Sequence, residues 1–266
     1  VRTMNQTTAL FATDSDLSRR ALEALSAQGK VITFSFAPLP GSFGPHRVVA
    51  PGDIRGLLDL FRTEGVRRLC LAGGVSPALL FSGTLHPSAQ EFLTPRKAWR
   101  SEDLLAALAA LLRREGIDLV SLARLLPDDI APAGVMTSRH PTPQEVEDIR
   151  AGCAAARGML RFRVGQAVAV RRGMILAVEG IEGTDRMIER TGALVDRFIV
   201  VKIAGRRKDP RFDLPAVGER TVATLAAARG VVLAVEAGKT ILVNRRAVVS
   251  ACETAGISLV GIRLSF

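Results

Sequence analysis

Aromatic residues are scarce in this sequence of 266 residues: tyrosine is absent, tryptophan occurs once, and aromatic side chains make up 5% of the total. Single-stranded nucleic acids bind proteins by stacking their bases on such side chains. The net charge of +10 would attract a polyanion, but the lack of stacking residues and of a recognised binding motif argues against nucleic acid as a partner. The charge instead favours phosphate groups or an anionic membrane surface.

Cysteine and histidine are also rare, with three of each. The cysteines are widely spaced among aliphatic residues, at Cys70, Cys153 and Cys252. An odd number at such spacing excludes a disulfide framework and a clustered thiolate metal site, so we expect buried, reduced thiols in a cytoplasmic protein. The histidines lie in separate proline-containing loops, without the spacing of a zinc site, at His46, His86 and His140.

Long apolar segments are lacking as well. The longest run without charged residues, 69–90, is interrupted by glycine and proline and predicts no membrane-spanning helix. The first residues lack the apolar stretch and cleavage site of a secretory signal, so we expect none. Hydrophobic residues at 48% and charged residues at 23% are typical of a folded globular protein.

The first part of the chain alternates between predicted strands and predicted helices. Strands are expected at 8–13, 31–36 and 68–72, with amphipathic helices between them. This alternation predicts a Rossmann-like α/β domain with a parallel sheet over residues 1–126. Ligands of such a sheet usually bind at the carboxyl ends of its strands.

A second domain is expected after a proline-containing segment of low periodicity, 127–142, which we interpret as an interdomain linker. Thr142 and Glu145 form a capping box that predicts the start of a long helix. The remaining chain, 143–266, mixes helices with strands and includes a hairpin whose turn falls at 171–173. We therefore expect a C-terminal domain of mixed α/β architecture.

Three segments carry polar residues suited to chemistry. In the first, Gly73 and Gly74 follow a predicted strand and would let backbone N–H groups approach a phosphate, with Ser76 as a further hydrogen-bond donor. Glycine pairs also occur in plain turns, and the G-x-G-x-x-G pattern of dinucleotide sites is absent from this place.

The second segment, 179–185, joins a predicted strand to a predicted helix. Glu182 and Asp185 stand on this glycine-containing turn and offer oxygen ligands of the kind that Mg²⁺ prefers. The alternative is structural: Thr184 or Asp185 caps the helix, which is a common role for both residue types.

The third segment, 202–218, places basic residues around two carboxylates, Asp209 and Asp213. Its cations, including Lys202 and Arg211, could clamp a pyrophosphate. An aspartate could bind a metal ion or orient a water molecule for in-line attack. The alternative is a solvated loop of mixed charge.

The second half of the chain also carries three longer motifs. They read VGQAVAVRRGMILAVEGIEGTD at 164–185, VKIA at 201–204 and DPRFDLPAVGERT at 209–221. In content, order and spacing these motifs resemble the LpxI-type UDP-2,3-diacylglucosamine pyrophosphatases. A weaker resemblance extends over the first domain, so that it covers nearly the whole chain.

The resemblance implies a cytoplasmic enzyme of lipid A biosynthesis, peripherally associated with the inner membrane. Such an enzyme hydrolyses the pyrophosphate of UDP-2,3-diacylglucosamine to UMP and 2,3-diacylglucosamine 1-phosphate (lipid X). It further implies two α/β domains, assistance by Mg²⁺ or another divalent cation, and attack of water on the α-phosphorus. The expected partners are the UDP-linked diacylated lipid and the anionic surface of the inner membrane, and homo-oligomer formation is left open.

Each candidate residue has an expected role within this framework. The essential aspartate of the family's D-L-P motif corresponds to Asp213, which we expect to be catalytic. Metal ligands are expected at Glu182, Asp185 and Asp209. Substrate contacts are expected at Gly73, Gly74, Ser76, Thr184, Lys202 and Arg211.

One segment departs from the family pattern. Family members have a run of glycines after the first strand, where this chain has Thr13, Asp14, Ser15 and Asp16. Side chains occupy this turn, and its two carboxylates repel an anion. The departure supports an alternative function, a catalytically weak or inactive relative that binds a nucleotide sugar or a phospholipid.

Overall fold

The computed structural model describes residues 6–73, 79, 81, 84–94, 101–160, 162, 164–204 and 214–264. The chain forms two compact units, one ending at Leu126 and the other beginning at Pro127. Within the described ranges, no helix has both the length and the apolar character needed to cross a membrane.

The first unit alternates strands and helices, as expected. Its elements are β1 (Thr7–Phe11), α1 (Asp16–Ser26), β2 (Val31–Ser35), β3 (His46–Val48), α2 (Ile54–Thr63), β4 (Val66–Leu71), α3 (Ala89–Leu93), α4 (Ser101–Arg114), β5 (Asp118–Leu119) and α5 (Leu122–Leu125). The five strands form one parallel sheet in the order β3-β2-β1-β4-β5. This order, with β1 at the centre, is that of a Rossmann-type sheet, so the predicted fold class of this domain is confirmed.

Apolar side chains hold this sheet against its helices. Phe34 on β2 packs against Phe61 on α2, with ring centroids 5.1 Å apart in an edge-to-face arrangement. The start of α2 is fixed by Asp53, whose carboxylate accepts a hydrogen bond from Gly56 N at 3.0 Å. Local capping and core packing therefore specify the same position for this helix.

The second unit contains both parallel and antiparallel strands. Its elements are β6 (Gly134–Val135), α6 (Pro143–Leu160), β7 (Ala167–Arg171), β8 (Met174–Val178), α7 (Thr184–Gly192), β9 (Ile199–Lys202), β10 (Ala216–Val217), α8 (Glu219–Ala227), β11 (Val232–Glu236), β12 (Ile241–Leu242), α9 (Arg245–Thr254) and β13 (Ser258–Ile262). Six strands form one sheet in the order β6-β13-β11-β9-β7-β8, in which β9, β11 and β13 are parallel. β6 and β7 run antiparallel to their neighbours, and β10 pairs with β12 in a separate small sheet. The predicted mixed α/β class is confirmed.

Helices cover both faces of the six-stranded sheet. On one face α6 packs through Ile149 and Ala156. On the other face α7, α8 and α9 pack through Ile188, Leu225 and Val248. Since both faces are covered, β9 and β11 are buried along their whole length, which explains why each is apolar up to the charged residue that ends it.

Two local motifs predicted for this domain are present. Thr142 N donates to Glu145 Oε2 at 2.9 Å, and Glu145 N donates to Thr142 Oγ1 at 3.3 Å, so the capping box at the start of α6 is confirmed. The hairpin of β7 and β8 turns through Arg172 and Gly173, which both have positive φ. Positive φ at both central residues is the requirement of a type I′ turn.

Residues 127–142, expected to form a linker, belong instead to the fold of the second unit. β6 pairs with β13, and the Asp129 carboxylate accepts a hydrogen bond from Arg245 N at the start of α9. Ser138 donates to Glu253 from its hydroxyl and from its backbone N–H, and these bonds lower the pKa of that carboxyl below its ordinary value. Hydrogen bonds to the sheet and to α9 thus hold this segment in place, although its sequence has no periodic pattern.

The environment of all three cysteines disfavours the thiolate form. Cys70 and Cys252 are buried, and Cys153 is half-buried. Burial raises the pKa of Cys70 and Cys252 to about 12 and that of Cys153 to about 11. Because the thiolate is the reactive form, these residues are poor nucleophiles and poor metal ligands at neutral pH.

Candidate functional site

The candidate site lies at one edge of the six-stranded sheet, where β8, β9 and β11 end and β7 begins. Lys202 is the last residue of β9, Glu236 is the last residue of β11, and Glu179 directly follows β8. The carboxyl ends of parallel strands are the usual ligand-binding edge of an α/β sheet. Charged side chains at three neighbouring strand ends are therefore placed where a ligand is expected.

Lys202 is a buried cation at this edge, with 8% of its surface exposed. Its ammonium group donates hydrogen bonds to Thr184 Oγ1 at 2.9 Å and to Ala216 O at 3.1 Å. Such partners are required because an ammonium group that loses its hydration without compensation is strongly destabilising. The fold thus brings together two of the predicted substrate residues, Lys202 and Thr184.

Thr184 begins α7 but does not cap it. The N-cap residue is Gly183, and among the described residues no side chain forms a cap hydrogen bond there. The Thr184 hydroxyl instead donates to Glu179 Oε1 at 2.7 Å. The interpretation of Thr184 or Asp185 as a helix cap is therefore wrong, because both side chains form hydrogen bonds with side chains outside α7 instead.

Glu179 completes a hydrogen-bonded line of three side chains, Lys202, Thr184 and Glu179, which we call the edge line. The second carboxylate oxygen of Glu179, Oε2, accepts a hydrogen bond from Gln166 N at 2.7 Å. Gln166 precedes β7, which lies between β8 and β9 in the sheet. The edge line therefore crosses from the end of β9 to the end of β8 over the start of β7.

Glu182 and Asp185, two of the predicted metal ligands, have separate partners. Glu182 Oε1 accepts a hydrogen bond from Arg190 Nη2 at 3.0 Å. Hydrogen bonding from its own backbone N–H, with a further contribution from Arg190, lowers the pKa of Glu182 below its ordinary value. Asp185 accepts from Thr221 Oγ1 at 2.8 Å and from Arg220 Nε at 3.0 Å, which connects the first turns of α7 and α8.

The described residues do not assemble a magnesium site by themselves. In this part of the chain, no three histidine, cysteine or acidic side chains lie close enough to share an ion. Guanidinium groups already pair with Glu182 and Asp185. Because Asp209 lies outside the described residues, the expected Mg²⁺ site stays a prediction.

Gly73, in the first unit, belongs to a tightly built junction between two strand ends. A Cβ at Gly73 would lie 2.7 Å from Thr13 N, so a side chain would push the two segments apart. The buried Ser18 hydroxyl donates to Ala72 O at 3.1 Å and accepts from Thr13 N at 3.0 Å. These bonds tie the segment after β1 to the segment after β4, at the point where Rossmann-type sheets bind ligands.

The turn that departs from the family pattern is electrostatically compensated. Arg19 pairs with both Asp14 and Asp16, and its guanidinium lies 5.4 Å from the centre of the Phe43 ring. The two carboxylates expected to repel an anion therefore have a cation beside them. Ser15 caps α1 by accepting a hydrogen bond from Ser18 N at 3.2 Å.

Five of the predicted site residues lie outside the described residues, namely Gly74, Ser76, Asp209, Arg211 and Asp213. The described site residues fall into two groups: Gly73 is in the first unit, whereas Glu182, Thr184, Asp185 and Lys202 are in the second.

Sequence reasoning missed Glu236, a carboxylate at the same sheet edge that is only 2% exposed. Its Oε2 accepts a hydrogen bond from Ala204 N at 2.8 Å, and its Oε1 accepts from Lys239 Nζ at 2.7 Å. The available signal was a single charged residue at the end of the otherwise apolar strand VLAVE. A charge at that position is expected to have buried partners.

Comparisons with known proteins follow the same division of the chain. Residues 7–128 match the family model of the LpxI N-terminal domain, and residues 132–260 match that of the LpxI C-terminal domain. A relative from Caulobacter vibrioides, UDP-2,3-diacylglucosamine pyrophosphatase LpxI, is 27% identical over 231 residues, which is 82% of each chain. Among solved structures, CobK precorrin-6A reductase is 16% identical, with coverage of 99% of this chain and 89% of its own and a TM-score of 0.34. Since the two LpxI domain models match in order over nearly the whole sequence, the chain belongs to the LpxI family.

Proposed function

We propose that this protein hydrolyses the pyrophosphate bond of UDP-2,3-diacylglucosamine, a reaction of lipid A biosynthesis. The observation that carries the proposal is the match of both LpxI domain models, in order, to one chain. The relative from Caulobacter vibrioides, which is named for this activity, supports the same substrate. The products are UMP and 2,3-diacylglucosamine 1-phosphate.

The geometry of the second unit suits recognition of a pyrophosphate. Lys202 places a buried positive charge at the carboxyl ends of the strands. α7 begins beside it at Thr184, and helix N-termini favour negative charge. A fixed cation in a water-poor environment stabilises the charge on phosphate oxygens more strongly than an exposed cation does.

The proposed reaction is an in-line displacement at phosphorus. The oxygen of a water molecule forms a bond to the α-phosphorus, and the bond from that phosphorus to the bridging oxygen breaks. The water oxygen stays in UMP, and the bridging oxygen leaves with the sugar 1-phosphate. The family resemblance assigns the essential carboxylate to Asp213, which we propose orients the attacking water.

Magnesium dependence is a separate part of the proposal. Glu182, Asp185 and Asp209 are the candidate ligands, and oxygen ligands of this type suit Mg²⁺. The ion pairs of Glu182 with Arg190 and of Asp185 with Arg220 compete with such a site. To bind Mg²⁺, Glu182 and Asp185 would have to exchange these arginine partners for the ion, which would then neutralise charge on the phosphate oxygens.

The experiment is incubation of the purified full chain with UDP-2,3-diacylglucosamine, with Mg²⁺ or with EDTA, and chromatographic detection of UMP. We expect UMP release that EDTA abolishes and that Asp213→Ala reduces by at least about a hundred-fold. Asp59→Asn, on an exposed carboxylate of α2, is the control for loss of one negative charge. UMP release that persists in Asp213→Ala would contradict the assigned role, and no release from the folded wild type would contradict the hydrolase.

The turn at residues 13–16 supports a second candidate, a relative that binds the lipid without turnover. Side chains fill the place of the family's glycines, and Arg19 is engaged by Asp14 and Asp16 instead of being directed to a phosphate. This candidate predicts a rise in melting temperature with UDP-2,3-diacylglucosamine but no UMP. The incubation above, combined with a melting curve, separates the two candidates.

For location, we propose a cytoplasmic protein that adsorbs to the anionic face of the inner membrane, where its lipid substrate resides. The net charge of +10 supports adsorption, because each basic residue near an anionic surface contributes about 1 kcal/mol.

A further inference from the structure

The side-chain types of the edge line determine which group donates and which accepts in each of its hydrogen bonds. The Lys202 ammonium has only donors, so Thr184 Oγ1 accepts its hydrogen bond at 2.9 Å. The single hydroxyl hydrogen of Thr184 is then donated in a hydrogen bond to Glu179 Oε1 at 2.7 Å. By accepting this hydrogen bond, Glu179 keeps the lone pairs of the Thr184 hydroxyl turned toward the Lys202 ammonium group.

Glu179 is itself held from two sides. Gln166 N donates to its other oxygen at 2.7 Å, and Glu179 N donates to Ala167 O at 2.9 Å as the ladder of β7 and β8 continues. A Cβ at Gly165 would clash with the backbone oxygen of Glu179, so the chain passes Glu179 at a distance that only glycine permits. Backbone on both sides thus limits the positions that this carboxylate can take.

Substrate recognition as proposed above needs Lys202 in one position, although a lysine side chain has four rotatable bonds. The Thr184 hydroxyl and Ala216 O restrict the ammonium group, and the orientation of the hydroxyl depends on Glu179. A pre-oriented ammonium group loses less conformational freedom when it meets a phosphate oxygen.

We propose that Glu179 is a positioning residue: acting through the Thr184 hydroxyl, it orients the Lys202 ammonium group for the pyrophosphate of the substrate. Glu179 does not touch the substrate in this arrangement. The inference rests on the proposed function, because that function supplies the pyrophosphate that Lys202 meets.

The first test compares Thr184→Val with Thr184→Ser in the full chain. Valine keeps the branched shape but removes the hydroxyl group, whereas serine keeps the hydroxyl group. Since Lys202 contacts the pyrophosphate in the bound substrate as well as in the transition state, we expect KM for UDP-2,3-diacylglucosamine to rise about ten-fold in Thr184→Val, with a smaller change in kcat. Thr184→Ser is expected to show a clearly smaller rise than Thr184→Val.

The second test is a double-mutant cycle between Glu179→Gln and Lys202→Met. Glu179→Gln alone is expected to raise KM by about ten-fold, because a neutral amide holds the hydroxyl group less firmly than a carboxylate does. If Glu179 acts through Lys202, Glu179→Gln adds little further effect in the Lys202→Met background. Additive increases in KM, an unchanged KM in Glu179→Gln, or a lower kcat at constant KM would each overturn the inference. Melting curves establish that each variant is folded.

A binding measurement separates failure of this inference from failure of the proposed function. If wild type releases no UMP, the hydrolase proposal fails, and the dissociation constant for inorganic pyrophosphate, measured by calorimetry, then decides the role of Glu179. Binding about ten-fold weaker in Glu179→Gln than in wild type supports the positioning role. Equal binding by the two proteins, or no binding by wild type, overturns it.

Discussion

Glu236 illustrates how a single buried charge organises its surroundings. It is the least exposed acidic side chain among the described residues, at 2%. Each carboxylate oxygen has its own partner, Ala204 N or Lys239 Nζ. Ala204 immediately precedes the segment 205–213, so Glu236 fixes the backbone where the chain leaves β9.

Lys239→Met tests the strength of this arrangement. The substitution keeps most of the side-chain length but removes the ammonium partner of a buried carboxylate. We expect the free energy of unfolding to fall by about 1–2 kcal/mol, because an underpaired buried charge is costly. Urea denaturation measures the effect, and Lys30→Met, on an exposed lysine, is the matched control. A loss no larger than in the control would mean that Glu236 is compensated without Lys239.

Sequence reasoning could single out individual residues of the site but not all of their partners. Thr184 and Lys202 are both expected to contact the substrate, a role that stays a prediction, and the fold joins them by a hydrogen bond. Their residue types and the strand-to-helix turn were visible in the sequence. The role of Glu179 was not visible, because it depends on β7 lying between β8 and β9, a long-range pairing that no local pattern encodes.

At the scale of elements, Asp148 connects the long helix of the second unit to a hairpin. It lies on α6, is 4% exposed, and accepts hydrogen bonds from Arg172 N at 2.8 Å and Gly173 N at 2.7 Å. These two N–H groups belong to the type I′ turn between β7 and β8. One carboxylate thus satisfies both turn donors and fixes the hairpin on the helix.

Asp148→Ala is expected to lower the free energy of unfolding by about 2 kcal/mol, since it leaves two turn N–H groups without their acceptor. Chemical denaturation measures the loss. Glu147→Ala is the matched control, because Glu147 is the neighbouring residue of α6 and its side chain is largely exposed. If both variants lose the same stability, the hairpin does not depend on the carboxylate of Asp148.

Whether an element was predictable from the sequence depended on its length and on whether its order comes from pairing with distant segments. The strand β2 and the capping box of α6 were predicted correctly because each has a complete local signal. β3, β6 and β10 have only two or three residues each, too few to show a periodic pattern. The segment 127–142 looked like a linker for the same reason, since its order comes from pairing with β13 and α9.

At the scale of the whole molecule, the fold class of both domains was predictable because each is specified by repeated signals. Alternating strands and helices predict a parallel sheet, and a predicted hairpin among helices indicates a mixed one. The enzyme class was not predictable from composition or periodicity. The enzyme class was instead inferred from the order of three motifs. The two LpxI domain models, which match nearly the whole sequence in the same order, support the same class.

The charge of the whole molecule leads to a prediction about membrane adsorption. With a net charge of +10, the full chain is expected to sediment with vesicles that contain phosphatidylglycerol at low ionic strength. Raising the salt from 0.1 M to 1 M shortens the Debye length from about 10 Å to about 3 Å, so the bound fraction should fall steeply. Vesicles of phosphatidylcholine alone are the control and should leave the protein in the supernatant. Binding to both vesicle types that does not change with salt would contradict electrostatic adsorption and would indicate that apolar contacts hold the protein at the surface.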